Sequence, residues 1–406
     1  MPQQLPVDCL NENFKYLKNK VDLHSCLLVN HLWCEASVRI LWTSIQNYNT
    51  LVACLPNESK KILFKNQIII STSISKPPSF NYVAFIKSFS LNKIVENILP
   101  QSFNIKKVLV VQEIFKMFMN QISLKTLDLY SNSNYIQNIP FLTYPGATEC
   151  LRNLSELNCS SNICSKFFYQ LSQICHHIQS LGITFEGVIS NGLSNLISVQ
   201  QNLKNLTMCN IDNRFLTNIM PSLMKHSNTL IKLNFYDWHY YTQFSFVAKF
   251  INLQELVISS YNYAEFFKNL QHITFSQLQI LKFEKCCPNH EYLTKFLENN
   301  GTNLKELLGY IEHNSINLAI AKFCPNLKSL STIFKVDEIE TLKMIFNSCQ
   351  QLESLRVWCG HRGDFKSLHE SDLFEVVAKY SPKKFYELRY VPSIPYFKKN
   401  YFQSLL

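Results

Sequence analysis

The sequence predicts an α/β fold in which a short N-terminal helical module precedes a curved solenoid with one strand and one helix per repeat. Two observations predict the solenoid: a pattern of apolar, any, any, apolar, any, apolar residues recurs eleven times, and apolar residues at helical spacing fill the stretches between its copies. A third observation is a surplus of apolar residues in the first 43 positions. A chain of 406 residues exceeds one ordinary core, and a repeat array accommodates it.

The repeated segments begin 23 to 33 residues apart, and 31 of their 33 patterned positions carry an apolar residue. The exceptions are Gly309 and Thr332. The last four positions of each segment alternate, as a short half-buried strand does. One strand and one helix in about 20–29 residues define the leucine-rich repeat. The alternative is an α-solenoid in which the segments form amphipathic helices. The segments begin at Leu124, Leu154, Ile178, Leu203, Leu230, Leu253, Leu278, Leu304, Leu327, Leu352 and Phe385.

The chain divides into three parts. Residues 1–43 are predicted to form the helical module, and residues 124–406 a solenoid of about eleven repeats with a C-terminal cap. Residues 44–123 carry a Pro/Ser-rich break and are predicted to be a linker and an irregular start of the solenoid, with a first strand near Phe85 and Phe89.

The front of the chain has the apolar spacing of three short helices. Pro6 suits the first turn of a helix, where its missing N–H costs nothing. So small a unit cannot bury all of its apolar surface within itself, and a partner is therefore expected. The apolar positions are Leu10, Phe14 and Leu17 on the first helix, Leu23, Cys26 and Leu27 on the second, and Trp33, Ala36 and Ile40 on the third.

At these residues the sequence resembles the F-box family, over about residues 3–43. An F-box followed by leucine-rich repeats also resembles a large fungal expansion. The resemblance implies docking to a Skp-type adaptor and, through it, to a cullin ubiquitin ligase, with the repeats binding an unknown target protein. Asn13 stands where the family usually carries isoleucine. The matching residues, which the resemblance implies contact the adaptor, are Leu5, Pro6, Leu10, Phe14, Leu17, Leu28, Val29 and Trp33.

Two alternatives remain for the front module. It could form a cap that shields the first repeat, or the whole chain could be a leucine-rich-repeat interaction scaffold with no ubiquitin role.

Target binding is predicted on the concave face of the late repeats. The second, fourth and sixth residues after the first apolar position of each segment should line that face. Tryptophan, tyrosine and arginine most often anchor protein interfaces, so Tyr310, Arg356, Trp358 and Arg389 are predicted to contact the target. The alternative is that they are ordinary exposed strand residues, or that Trp358 tucks under the C-terminal segment.

The charge pattern argues against nucleic-acid and membrane partners. The chain carries 39 Lys+Arg against 29 Asp+Glu, a formal net charge of +10, but its basic residues are scattered and do not alternate with aromatic ones. No apolar run approaches the roughly 18 residues of a membrane span, and the N-terminus lacks the features of a signal peptide. We therefore expect a cytoplasmic or nuclear protein.

The sequence also predicts a protein that is not an enzyme and needs no cofactor or metal. With only 8 glycines, it has no phosphate-binding glycine loop. The sharpest metal candidate is the stretch CCPNH, with Cys286, Cys287 and His290, but zinc needs four ligands and no second pair follows. The 14 cysteines lack paired spacing and are expected to be reduced.

Overall fold

The structure, a computed structural model, divides the chain into two compact units, Met1–Asn202 and Leu203–Leu406. The front helices and the first strands belong to the first unit, and the later repeats belong to the second. The residues that it describes are 5–17, 19–68, 78–98, 104–130, 140–187, 189–211, 213–237, 244–259, 264–284, 288–358 and 368–391. The predicted C-terminal cap after residue 391 lies outside this range.

Three short helices open the first unit: α1 Val7–Phe14, α2 Lys20–Cys26 and α3 His31–Leu41. Pro6 is the N-cap residue of α1. The side chains of Asn19 and Asn30 cap α2 and α3 by accepting hydrogen bonds from the first turns, which satisfies donors that the helix itself leaves free.

An irregular stretch connects the front helices to the repeats. It contains α4 Tyr48–Ala53, α5 Asn57–Lys65, a 3₁₀ turn at Tyr82–Phe85, strand β1 Ser88–Ser90, α6 Leu91–Ile98 and α7 Asn104–Met119. The strand expected near Phe85 and Phe89 is present at Phe89, which lies opposite Leu127 in a parallel pair with the first regular strand, whereas Phe85 lies in the 3₁₀ turn.

The first unit continues with β2 Thr126–Leu129, α8 Ala147–Leu151, β3 Glu156–Ser160, α9 Ser165–Ser172, β4 Ser180–Thr184 and α10 Asn191–Ser198. Strands β1 to β4 pair in parallel and in sequence order. Leu127, Leu157 and Leu181 occupy one register position and are buried, so the repeated leucines form a continuous row in the core.

The second unit repeats the same arrangement, and its strands also pair in parallel and in sequence order. The β6–β7 connection departs from the pattern, because its described residues contain a 3₁₀ helix, Ser245–Lys249, and no α-helix. The elements are β5 Asn205–Cys209, α11 Asn213–Met224, β6 Lys232–Tyr236, β7 Glu255–Ser259, α12 Ala264–Leu270, β8 Ile280–Phe283, α13 His290–Asn300, β9 Glu306–Leu308, α14 Asn314–Phe323, β10 Ser329–Ile333, α15 Ile339–Ser348, β11 Ser354–Trp358, α16 Glu370–Tyr380 and β12 Glu387–Val391.

Each of the eleven predicted segments therefore carries a strand, and the leucine-rich-repeat prediction is confirmed. The α-solenoid alternative is wrong. In β11 the side chains of Leu355 and Val357 are buried, whereas Ser354, Arg356 and Trp358 point to the other side and are half-buried. We call the side that carries the second, fourth and sixth residues after the first apolar position of each segment the open face.

The two exceptions to the apolar pattern have local explanations. A Cβ at Gly309 would lie 2.8 Å from the Cβ of Phe283, so a larger residue would collide with the preceding strand. Thr332 is buried, and its hydroxyl donates a hydrogen bond of 2.6 Å to the side-chain oxygen of Asn317. Both positions thus preserve the packing of the repeat.

Buried amides join consecutive repeats at the turns between helix and strand. Asn300 accepts a hydrogen bond from the Phe275 N–H at 2.6 Å and donates to the Ile273 carbonyl at 2.8 Å. In the first unit Gln200 accepts from the Ile178 N–H at 2.9 Å. These side chains satisfy backbone groups that the irregular turns would otherwise leave buried without partners.

Candidate protein-interaction surfaces

Half of the predicted adaptor-binding residues hold the front module together. Leu10 is 1% exposed, and Phe14 is buried beside it. Trp33 packs edge-on against Phe14, with ring centroids 5.1 Å apart, and Leu17 is partly buried against the same core. In this structure these four side chains belong to the core of the three helices, and they fix the shape of the surface around them.

The other four predicted residues are exposed. Leu28 is 88% exposed and Val29 56%, in the turn between α2 and α3, and Leu5 is 54% exposed just before α1. Pro6 is exposed next to Leu5. We call Leu5, Leu28 and Val29 the aliphatic set. Fully burying a side chain of this kind contributes roughly 1.5–3 kcal/mol, so the set offers several kcal/mol to a partner that covers it.

Further exposed residues of the module were not predicted. Tyr16, shortly after α1, and Val21, in α2, are both largely exposed. Asn13 is also exposed, on α1, and its side-chain amide donates to the Cys9 carbonyl at 2.8 Å. A search for apolar residues outside the helical periodicity would have found Tyr16 and Val21.

On the late repeats, Trp358 of β11 is held by two contacts on the open face. Its ring packs in a tilted arrangement against Tyr310, with centroids 4.8 Å apart, and its indole N–H donates to the Ser331 hydroxyl at 2.9 Å. Tyr310 is consequently only 6% exposed. Tyr310 was predicted to contact the target, but here it supports Trp358 from below and offers little surface of its own.

The two predicted arginines lie side by side on the same face. Arg356 of β11 is directly opposite Arg389 of β12 and Ser331 of β10. Arg389 is exposed and forms an ion pair with Glu387, with a distance of 2.6 Å between Nε and the carboxylate. Arg356 is half-buried.

The metal-ligating side chains of the described residues do not gather into a metal site. Among the described residues no group of three or more His, Cys, Asp or Glu could hold a metal ion. Cys286 and Cys287 lie outside the described residues, and His290 stacks on His313 with ring centroids 3.8 Å apart. Burial raises the pKa of the Cys175 and Cys349 thiols to about 12, so both are protonated near neutral pH.

Within the described ranges of the chain, no helix is both long and apolar enough to cross a bilayer.

No protein-family model matches the chain, and no curated protein matches it. Among solved structures it is similar to the complex of Rad7 and Elc1 from yeast, at 16% identity and a TM-score of 0.41, covering 58% of this chain and 61% of that one. It is also similar to a leucine-rich-repeat protein of Leptospira interrogans, at 16% identity and a TM-score of 0.31, covering 68% and 80% of the two chains. A third is the leucine-rich-repeat domain of the type III effector XopL, at 14% identity and a TM-score of 0.30, covering 86% and 96%. The chain thus spans less than two thirds of the yeast chain that it matches.

Proposed function

We propose that this chain is the substrate-recognition subunit of an SCF-type, cullin-based ubiquitin ligase. The front module docks a Skp-type adaptor, and the open face of the repeats holds a target protein. The observation that carries the proposal is the exposure of Leu28 and Val29, with Leu5, on a module whose motif resembles the F-box.

The motif residues divide their roles according to burial. Leu10, Phe14 and Trp33 pack into the core of the module and hold its helices at fixed angles. The aliphatic set then faces outward on a preformed surface, so a partner need not order it on binding. Exposed aliphatic side chains on a small, rigid unit are what a partner buries at an interface.

The chain supplies recognition and proximity, and the chemistry belongs to the other ligase subunits. No cofactor or metal is needed for this role. The buried, protonated thiols fit a reducing compartment, and we propose that the protein works in the cytoplasm or nucleus.

The test replaces Leu28 and Val29 together with aspartate in the full-length chain and measures binding to a purified Skp-type adaptor by calorimetry. A hot-spot residue contributes about 2 kcal/mol or more, so we expect at least a 100-fold loss of affinity. Ile251→Asp is the matched control, because Ile251 is 57% exposed in a turn of the second unit. Both variants should keep the wild-type far-UV spectrum and melting temperature.

The double variant binding the adaptor as well as the wild type would contradict the proposal, as would an equal loss in Ile251→Asp. A wild-type chain that binds no Skp-type adaptor would favour the alternative, an interaction scaffold with no ubiquitin role.

A further inference from the structure

Among the residues that the structure describes, Arg356 differs from Lys232, Lys282 and Arg389 on the open face of the second unit because it forms no ion pair. Lys232 lies 3.1 Å from the carboxylate of Glu255, and Lys282 lies 3.6 Å from the same group. Arg389 is paired with Glu387. Within the described ranges, no carboxylate or other acceptor is hydrogen-bonded to the guanidinium of Arg356, although the side chain is half-buried.

The pairing of β11 with β12 adds a second unfavourable interaction at Arg356. Arg356 and Arg389 are direct cross-strand neighbours, and like charges in such positions destabilise a sheet. A half-buried guanidinium has lost part of its hydration without gaining a carboxylate. An anion placed above the open face would relieve both costs, and arginine binds a carboxylate through two parallel hydrogen bonds.

The surroundings of Arg356 add an apolar platform and hydroxyl groups. Trp358, two residues along the same strand, packs against Tyr310 on the open face and donates its indole N–H to Ser331. On the other side of Arg356 the hydroxyls of Ser354 and Ser329 are 3.1 Å apart. Residues two apart on one strand are separated by about 7 Å, the same spacing as side chains on one side of an extended peptide.

We propose that the open face of β10–β12 binds an acidic segment of the target protein in an extended conformation. An aspartate or glutamate of that segment pairs with Arg356, and an apolar side chain two residues away packs on Trp358. This inference deepens the proposed function, since it names the chemistry of the target, but its test involves no adaptor and therefore succeeds or fails independently of the ligase assignment.

The first experiment selects peptides from a phage-displayed library of random sequences on the immobilised full-length chain. The expected result is an enrichment of Asp and Glu of at least about threefold over the unselected library, with an apolar residue two positions from an acidic one. Arg356→Gln should abolish the enrichment. Lys232→Gln, which removes a paired cation from the same unit, should preserve it. A wild-type selection that yields no acidic peptides, or an unchanged enrichment with Arg356→Gln, overturns the proposal.

The second experiment measures the affinity of the best selected peptide as a synthetic ligand. Replacing its central acidic residue by glutamine should weaken binding to the wild-type chain at least tenfold, and should change binding to Arg356→Gln less than twofold. Trp358→Leu should also weaken binding of the acidic peptide, because it removes the indole ring on which the apolar side chain of the peptide packs. A peptide that binds with phosphoserine in place of the acidic residue, but not with aspartate or glutamate, overturns the assignment to carboxylates. Unchanged melting temperatures for the variants exclude unfolding as the cause.

Discussion

The front module and the repeats of the second unit bury their apolar residues to different extents. The module leaves Leu5, Tyr16, Val21, Leu28 and Val29 largely exposed within 25 residues of chain. In the second unit the large exposed apolar residues lie on helices, in a turn or just before β12, more than ten residues apart in most cases. Its open face instead mixes charged and hydroxyl side chains, such as Glu255, Lys282 and Arg389, with apolar ones such as Ile280 and Trp358.

This difference indicates two modes of association in one chain. A surface rich in exposed aliphatic residues gains affinity by removing apolar area from water, and such binding depends little on salt. A charged sheet face gains specificity from the placement of ion pairs, and its binding weakens as ionic strength rises.

The largest effect is expected from Leu10→Ala in the core of the front module. Removing a fully buried leucine leaves a cavity and typically lowers the free energy of unfolding by roughly 2–5 kcal/mol. Native-state hydrogen exchange should show faster exchange of the amides in α1, α2 and α3, with β5–β12 unchanged. Leu28→Ala is the control and should leave exchange unaltered, because that side chain is exposed. Equal effects of the two variants would contradict the division between core and surface residues.

The next effect is expected from Asn300→Leu in the second unit. The substitution leaves the Phe275 N–H and the Ile273 carbonyl buried without their partner, at about 1–3 kcal/mol for each group. The urea midpoint for unfolding of the second unit should fall accordingly. Asn303→Leu is the matched control, because Asn303 is exposed and makes one bond of 3.2 Å to the Ser276 carbonyl. An equal fall of the urea midpoint in Asn303→Leu would show that the burial of Asn300 is not the cause of the lost stability.

The sequence predicted the repeats well because their signal is periodic. A leucine at a fixed position recurs in each segment, and it is buried in every repeat before the last, as at Leu127, Leu157 and Leu181. The hydrogen bonds that join consecutive repeats were harder to predict from the sequence. Asn300 and Gln200 precede their strands at slightly different spacings, and both bond to irregular turns.

The candidate sites were predicted less completely, because a motif does not specify which of its residues are buried. Leu10 and Leu28 both match the F-box resemblance, yet one lies in the core and the other in solvent. Similarly, the alternation of β11 placed Trp358 on the open face, but it did not show that the indole would reach across β10 to cover Tyr310. Such packing depends on residues far apart in sequence.

A smaller effect, in the opposite direction, is expected from Asn13→Ile on α1. Asn13 is exposed and bonds only locally, to the Cys9 carbonyl, so its amide must be desolvated when a partner covers this face. Isoleucine removes that cost, and adaptor affinity should rise by about 1 kcal/mol, or roughly fivefold. Glu12→Ile, also exposed on α1, is the control for a general increase in apolar surface. An equal gain from Glu12→Ile would show that position 13 has no special role.

The smallest effect concerns His313, the N-cap residue of α14. Its Nδ1 lies 2.8 Å from the Ser315 hydroxyl and accepts a longer hydrogen bond, of 3.4 Å, from the Ser315 N–H, and its ring stacks on that of His290. Desolvation of the ring, and then the nearby His290 and Lys335, lower the pKa of His313 below its ordinary value of 6.5. The folded chain therefore favours the neutral ring, which keeps Nδ1 as an acceptor for the Ser315 N–H.

The sign of the pH dependence follows from this shift. The unfolded chain binds a proton at His313 more readily than the folded chain, so the contribution to stability is present above pH 6.5 and is lost as pH falls from 6.5 toward the lowered pKa. His313→Asn keeps a capping acceptor that does not titrate, and it should reduce the loss of stability in urea unfolding over this interval. His369→Asn is the control, because His369 caps α16 without a side-chain hydrogen bond. A pH dependence that is unchanged in His313→Asn, or reduced equally in His369→Asn, would assign the titration to other groups.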